Sequence, residues 1–280
     1  MVTVSNTFEQ PRRDDSRDPR AQHRRLYPRV TSFRSRRGAL TPAQQRWWDE
    51  MWPRIGRDIA PAQPFDPADT VSAADPLGPA APFPTPAEPL DAAQWFGRTA
   101  PLVVEIGSGT GTSTVAMAAA EPDVDVIAVE VYVPGIAQTL GGVQRAGLDN
   151  VRVVRGDGVA VLEDMIAPGS LTGVRVYFPD PWPKARHHKR RLLQPRMFAL
   201  LASRLRPGGI VHVATDHADY AEWIGAVGDG EPALRRLLLP EDLADADVPV
   251  SVDRPVTKFQ GKAEQVGREI HEFVWERRQG

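Results

Sequence analysis

The chain has 280 residues, 41% of them apolar, with a formal net charge of −2 and no cysteine. That length and apolar fraction suffice for a proper hydrophobic core. The missing cysteines exclude disulfides, thiolate chemistry and the commonest zinc sites, and the near-neutral balance means that any affinity for a polyanion must come from local patches. Six histidines include no H-E-x-x-H spacing, so no metal is expected. Residues 1–30 lack the apolar core of a signal peptide and no run is long enough to span a bilayer, which makes a cytoplasmic protein the expectation.

Residues 1–31 form a polar, Arg-rich tail, too poor in apolar side chains to offset ordering and expected to be disordered. Residues 32–59 read as a basic and helical extension: Arg34, Arg36 and Arg37 cluster before Thr41, a credible N-cap with Pro42 at the first helical position. Trp47, Trp48, Met51 and Trp52 then lie on one helical face, most simply a packing stripe. Between Pro61 and Pro89 there are nine prolines among many alanines, so residues 60–90 are expected to be a loop. From 91 to 280 the chain reads as a catalytic core. Leu102–Ile106, Asp125–Val129, Val151–Val154, Val174–Phe178 and Ile210–Ala214 are predicted strands, with helices near 112–120, 134–146, 157–166 and 194–205, and a last strand at His271–Trp275. This βα alternation predicts a mostly parallel sheet with helices on both faces and ligands outside the carboxyl ends of the strands.

Glu105-Ile106-Gly107-Ser108-Gly109-Thr110-Gly111 follows the first of these strands and opens a helix, so backbone can approach a ligand at the glycines. Position 112 is Thr where a dinucleotide fingerprint would place its third glycine, and Glu105 would oppose a pyrophosphate. An acid there suits an ammonium or sulfonium, which points to S-adenosyl-L-methionine. Glu130 ends the next strand 19 residues after Gly111, where a carboxylate can accept from ribose hydroxyls. Asp157 could accept from an adenine amino group, or it could cap the helix that follows. Asp180 completes a set of four acids at the ends of four successive strands.

Asp180 lies in Phe178-Pro179-Asp180-Pro181-Trp182-Pro183-Lys184, where three prolines restrict themselves and the residues before them. Arg186-His187-His188-Lys189-Arg190-Arg191 follows at once, a basic run suited to nucleic-acid phosphates. The bland alternative is a surface turn leading to a solvated charged face.

These residues carry a family resemblance. The chain resembles the bacterial tRNA (guanine-N7-)-methyltransferases, a branch of the Rossmann-like class I methyltransferases, over Ser32–Gln45 and nearly all of Phe96–Trp275. The Phe178–Lys184 loop is its most specific signature, whereas the glycine motif is shared with many methyltransferases. The resemblance implies a seven-stranded sheet, S-adenosyl-L-methionine as cofactor, and tRNA, at a variable-loop guanosine, as substrate. It implies cofactor contacts at Glu105, Gly107, Gly109, Glu130, Asp157 and Asp180, with Asp180 also the expected catalytic residue. Lys184, Asp216, Thr257, Lys258, Phe259 and Gln260 correspond to substrate-binding positions. Gln260 stands where the family usually has Glu, and Glu264 lies four residues on. Arg186, Lys189, Arg190 and Arg191, with Arg36 and Arg37, are the expected RNA phosphate contacts. No membrane, metal or obligate protein partner is expected. Two other readings stay open: an inactive RNA-binding protein on the same fold, and a methyltransferase acting on a non-RNA acceptor.

Overall fold

A computed structural model describes residues 40–59, 83, 86–237, 248–255 and 267–279. The tail at 1–31, Arg34, Arg36 and Arg37, most of the Pro-rich stretch, Thr257–Gln260 and Glu264 lie outside the described residues.

Helix α1 (Pro42–Ile55) starts as its sequence dictates: the Thr41 hydroxyl accepts from Gln44 N at 3.3 Å and Gln44 Oε1 accepts from Thr41 N at 2.9 Å. This reciprocal pair satisfies two amide donors that the first helical turn would leave open. Met51 and Ile55 are buried, and the Trp48 and Trp52 rings stack at 4.5 Å. Strand β1 (Gly56–Asp58) follows directly.

After a short helix α2 (Ala92–Phe96), the alternation runs β2 (Leu102–Ile106), α3 (Thr112–Ala120), β3 (Asp125–Glu130), α4 (Val133–Ala146), β4 (Val151–Arg155), α5 (Gly158–Asp164) and β5 (Leu171–Tyr177). A 3₁₀ helix (Ala185–Arg190) precedes α6 (Pro195–Arg204), β6 (Leu205–Thr215), α7 (Ala218–Asp229), β7 (Leu234–Arg236) and β8 (His271–Arg277). The sheet has the order β1-β4-β3-β2-β5-β6-β8-β7, parallel from β1 to β6, with β8 antiparallel to both β6 and β7. The Rossmann-like layout is as expected, but the sheet has eight strands where seven were expected. The extra one is β1, which extends the edge by pairing with Val153–Arg155. Three residues of Gly, Arg and Asp carry no apolar alternation from which a strand could be read.

Strand residues divide between two cores because successive side chains point to opposite faces. Leu102, Val104, Ile106, Ile127 and Val129 pack with α5, α6 and α7, whereas Val103, Val126 and Ala128 pack with α1, α3 and α4. Glu105 shares the face of Val103. It therefore points into the second layer, beneath α3. The α1–α4 contact depends on Gly141, where a Cβ would come within 2.4 Å of the Trp47 ring.

Candidate active site

Strands β3 and β4 extend the sheet on one side of β2, and the chain then crosses to place β5 on the other side. The strand order reverses between β2 and β5, which is where open α/β sheets form a ligand crevice. Glu105 and the glycine turn flank this point from β2, and Asp180 flanks it from β5. Asp157, Glu130, Glu105, Asp180 and Asp216 belong to five adjacent strands, β4-β3-β2-β5-β6, and lie in or just beyond their carboxyl ends. With about 4.8 Å between strands, the row spans roughly 19 Å along one sheet edge.

Gly107, Gly109 and Gly111 have φ of 75°, 59° and 72°, the left-handed region that disfavours side chains. A Cβ on Gly107 would meet nothing within 4 Å, and one on Gly109 only the Gly107 carbonyl at 4.0 Å, so space is open beside this backbone. Gly111 instead faces Thr139, which a Cβ would approach to 2.5 Å. Glu130 fastens the turn: Gly109 N donates to Oε2 at 2.8 Å, and Val131 N and Tyr132 N donate to Oε1 at 2.7 and 2.9 Å. Oε2 keeps a lone pair for a further donor.

Glu105 is 3% exposed and Thr114 Oγ1 donates to its Oε2 at 2.8 Å. Burial raises its pKa to about 7, against the lowering effects of Thr114 and the nearby Arg175. Arg175 does not pair with it; its Nη2 donates to Glu121 at 2.5 Å and to the Ser251 carbonyl. A buried carboxylate with no cation bonded to it fits the ammonium end of S-adenosyl-L-methionine. Asp157 serves as the N-cap of α5, accepting from Val159 N and Ala160 N at 2.9 and 3.0 Å through Oδ1. The capping role considered for it is therefore the one these bonds show.

The Pro-rich loop is held in an unusual shape. Phe178 and Trp182 have φ of 51° and 43°, left-handed values that cost non-glycine residues about 1–2 kcal/mol each. Phe178 N donates to the Ala214 carbonyl at 2.8 Å, and the Arg254 guanidinium lies 5.2 Å from the Phe178 ring. Asp180 is exposed at the rim, although crowding by the loop raises its carboxyl pKa through desolvation. Trp182 is half-buried between His187, edge-on at 5.8 Å, and Arg190, whose guanidinium sits 5.0 Å from the ring. Lys184, Arg186 and Lys189 are exposed and Arg190 partly so. Arg191 corrects the expectation for the basic run. It is 3% exposed and faces the protein, donating from Nε to the Pro181 carbonyl at 2.9 Å and from Nη2 to Asp219. The buried Leu193 follows two residues on, but nothing within the basic run itself marks that inward turn.

Asp216 follows β6 directly, and Arg268 Nη1 donates to its Oδ2 at 2.9 Å. Residues missed from sequence include Thr114, Asp219 and two side-chain pairs: Tyr177 Oη and His212 Nδ1, both buried and 2.9 Å apart, and the partly buried Arg254 and Glu272, with Arg254 Nε donating to Glu272 at 2.7 Å. Tyr177 and His212 come from neighbouring strands 35 residues apart in sequence, and Arg254 and Glu272 meet only in the folded chain. Among the described residues no cluster of His, Cys, Asp or Glu could hold a metal, and no helix is long and apolar enough to cross a membrane.

A family model described as a putative methyltransferase matches residues 99–273. A tRNA (guanine-N(7)-)-methyltransferase of Nocardia farcinica is 56% identical over 255 residues, 90% of this chain and 85% of its own. A protein of the same name from Mycobacterium sp. (strain KMS) is 58% identical over 264 residues, 94% and 85% of the two chains. This chain belongs to the tRNA (guanine-N7-)-methyltransferase family. A third member, from Rhodococcus jostii, is 55% identical over 90% of this chain and 84% of its own. The family match contains the whole acid row of this methyltransferase, its glycine turn and its Pro-rich loop.

Proposed function

We propose that this methyltransferase transfers the methyl group of S-adenosyl-L-methionine to N7 of a guanine in tRNA. The observation that carries the reading is the acid row at the sheet's reversal point in a chain 55–58% identical to proteins of that name. S-adenosyl-L-methionine supplies an electrophilic methyl group on a sulfonium. Glu105 would hold the ammonium end, Gly107 and Gly109 give backbone room beside it, Glu130 would accept from ribose, and Asp157 from adenine.

Guanine N7 has a free lone pair at neutral pH, so no proton need leave in the transfer and no strong general base is required. The protein's task is alignment, which can be worth about 7–11 kcal/mol in ideal cases, together with balancing the positive charge that passes to the purine. Asp180 suits both. Asp216 would accept from the guanine N1–H and 2-amino group, with Arg268 giving way or the free carboxylate oxygen being used. Lys184 would donate to O6 or a phosphate. Thr257, Lys258, Phe259 and Gln260 are assigned to the substrate on the family pattern alone. A base within folded RNA must be extruded to reach such a crevice.

Arg186, Lys189 and Arg190 supply phosphate contacts, with Arg36 and Arg37 as further candidates. Substituting Arg186 and Lys189 together by Ala is expected to weaken tRNA binding and to reduce the slope of log K against log salt by about one per lost contact. An unchanged slope would remove them from the interface. The whole reading is tested by incubating the purified chain with unmodified tRNA and methyl-labelled cofactor, then cleaving at 7-methylguanosine. Label at a single guanosine is expected. Label on another atom, or none while cofactor still binds, would favour a different acceptor or an inactive RNA binder.

A further inference from the structure

We infer that Arg191 is a positioning residue that fixes Asp180 through the carbonyl of Pro181. The inference rests on the role given to Asp180 above. Arg191 closes a basic run and would be expected to face RNA, yet it is 3% exposed whereas Lys189 is exposed. Its guanidinium is engaged through Nε, through Nη2 and on one face. Nε donates to Pro181 O at 2.9 Å, Nη2 donates to Asp219 Oδ2 and lies 3.1 Å from His188 Nε2, and the group stands 4.7 Å from the Tyr220 ring.

The Pro181 carbonyl lies one residue past Asp180 and directly before Trp182, whose φ of 43° needs outside support. Phe178 N on Ala214 O holds the entry to the loop, and Arg191 on Pro181 O holds the far side. Asp180 stands between the two fastenings. The first turn of α7 acts as the fixed side of this clamp: Asp219 pairs with the guanidinium and Tyr220 Oη accepts from Leu193 N at 3.0 Å, which sets the ring. A planar fork can reach the carbonyl and the carboxylate together; an ammonium cannot do so with the same geometry. A phosphate contact and a clamp make opposite demands on exposure, and Arg191 meets those of a clamp.

The test uses the full chain with Arg191→Ala, Arg191→Lys, Asp219→Asn, Asp180→Asn and the Asp180→Asn/Arg191→Ala pair. Single-turnover transfer at saturating tRNA and cofactor is measured beside tRNA affinity over a salt series and cofactor affinity. Arg191→Ala is expected to lower the saturated rate about 10²-fold, since misplacement by about 1 Å can cost that much. The tRNA affinity, its salt slope and the cofactor affinity should stay within about threefold, a split that general destabilisation would not produce. Arg191→Lys should share most of the loss, and Asp219→Asn should lose less. In the Asp180→Asn background Arg191→Ala should add nothing.

A salt slope reduced by about one with an intact saturated rate would make Arg191 a phosphate contact and overturn the inference. Multiplying losses in the double variant would also overturn it, with the role of Asp180 untouched. A full rate in Asp180→Asn alone would remove the role of Asp180 and the inference with it. If Arg191→Ala loses cofactor binding through misfolding, Arg191→Lys and Asp219→Asn carry the same comparison.

Discussion

Replacing Asp180 by Asn is expected to lower the saturated rate of methyl transfer to tRNA by about 10²–10³-fold, the range found when one preorganised electrostatic group is removed from a reacting centre. Asn keeps the shape and an acceptor oxygen but loses the charge. The loss should therefore appear in the chemical step, where positive charge moves onto the purine, more than in binding. Single-turnover rates with both substrates saturating separate the two. Because no proton leaves guanine N7, the rate for the parent chain should follow ionisation of Asp180 and level off above its pKa, with no further rise of the kind a general base of higher pKa would impose. Desolvation raises that pKa above the ordinary carboxylate value, so activity limited by Asp180 falls as pH drops through the raised value. A variant within threefold of the parent rate would show that Asp180 does not act on the reacting atoms.

Glu105 is expected to make cofactor affinity strongly pH-dependent near neutrality. Its pKa is raised to about 7, and only the ionised form can pair with an ammonium. Below about pH 7 the dissociation constant should increase nearly tenfold per unit, so that affinity at pH 6 is about tenfold below its best value. The cofactor's own α-amino group titrates near 7.7–8.0, which bounds the optimum from above. Glu105→Gln should remove the acid limb, flatten the alkaline one, and weaken binding about 10²-fold, as expected for removing one partner of a buried charge pair. Calorimetric titration from pH 6 to 8.5 reads both effects; an unchanged acid limb in the variant would exclude Glu105.

The same group affects stability with a definite sign. The folded state without cofactor binds a proton that the unfolded chain releases near 4.5, so stability is greatest below that value and falls as pH rises toward 7. The shift corresponds to about 3 kcal/mol, which a bound cation would restore. Thermal unfolding with and without cofactor should therefore diverge most above pH 7.

The largest features were legible because local chemistry and spacing carry them. Strand β2 at Leu102–Ile106 and helix α3 at 112–120 match the predicted limits, since a buried parallel strand is a short apolar run and the glycine turn marks the helix start. Thr41 capped α1 as its sequence implies, because a capping box needs only neighbouring residues. Helix α7 and strand β7 were not read: the sequence signal weakens after Trp223, part-way along α7, and β7 has three residues, two of them exposed arginines.

Sequence alone determined the alternation of strands and helices, the acids at four strand ends, the glycine turn and the stiff loop, all encoded within a few residues of themselves. It could not determine which strands are neighbours, and so could not reveal Glu105 beneath Thr114 or Glu130 stitching the glycine turn. Nor could it tell Arg191 from Lys189, two residues of one basic run with opposite fates. Only the tertiary structure decided that, because burying this guanidinium takes hydrogen-bond acceptors and a packing surface that converge on it. Here they come from Pro181, Asp219 and Tyr220, brought together by the packing of α7 beside the loop.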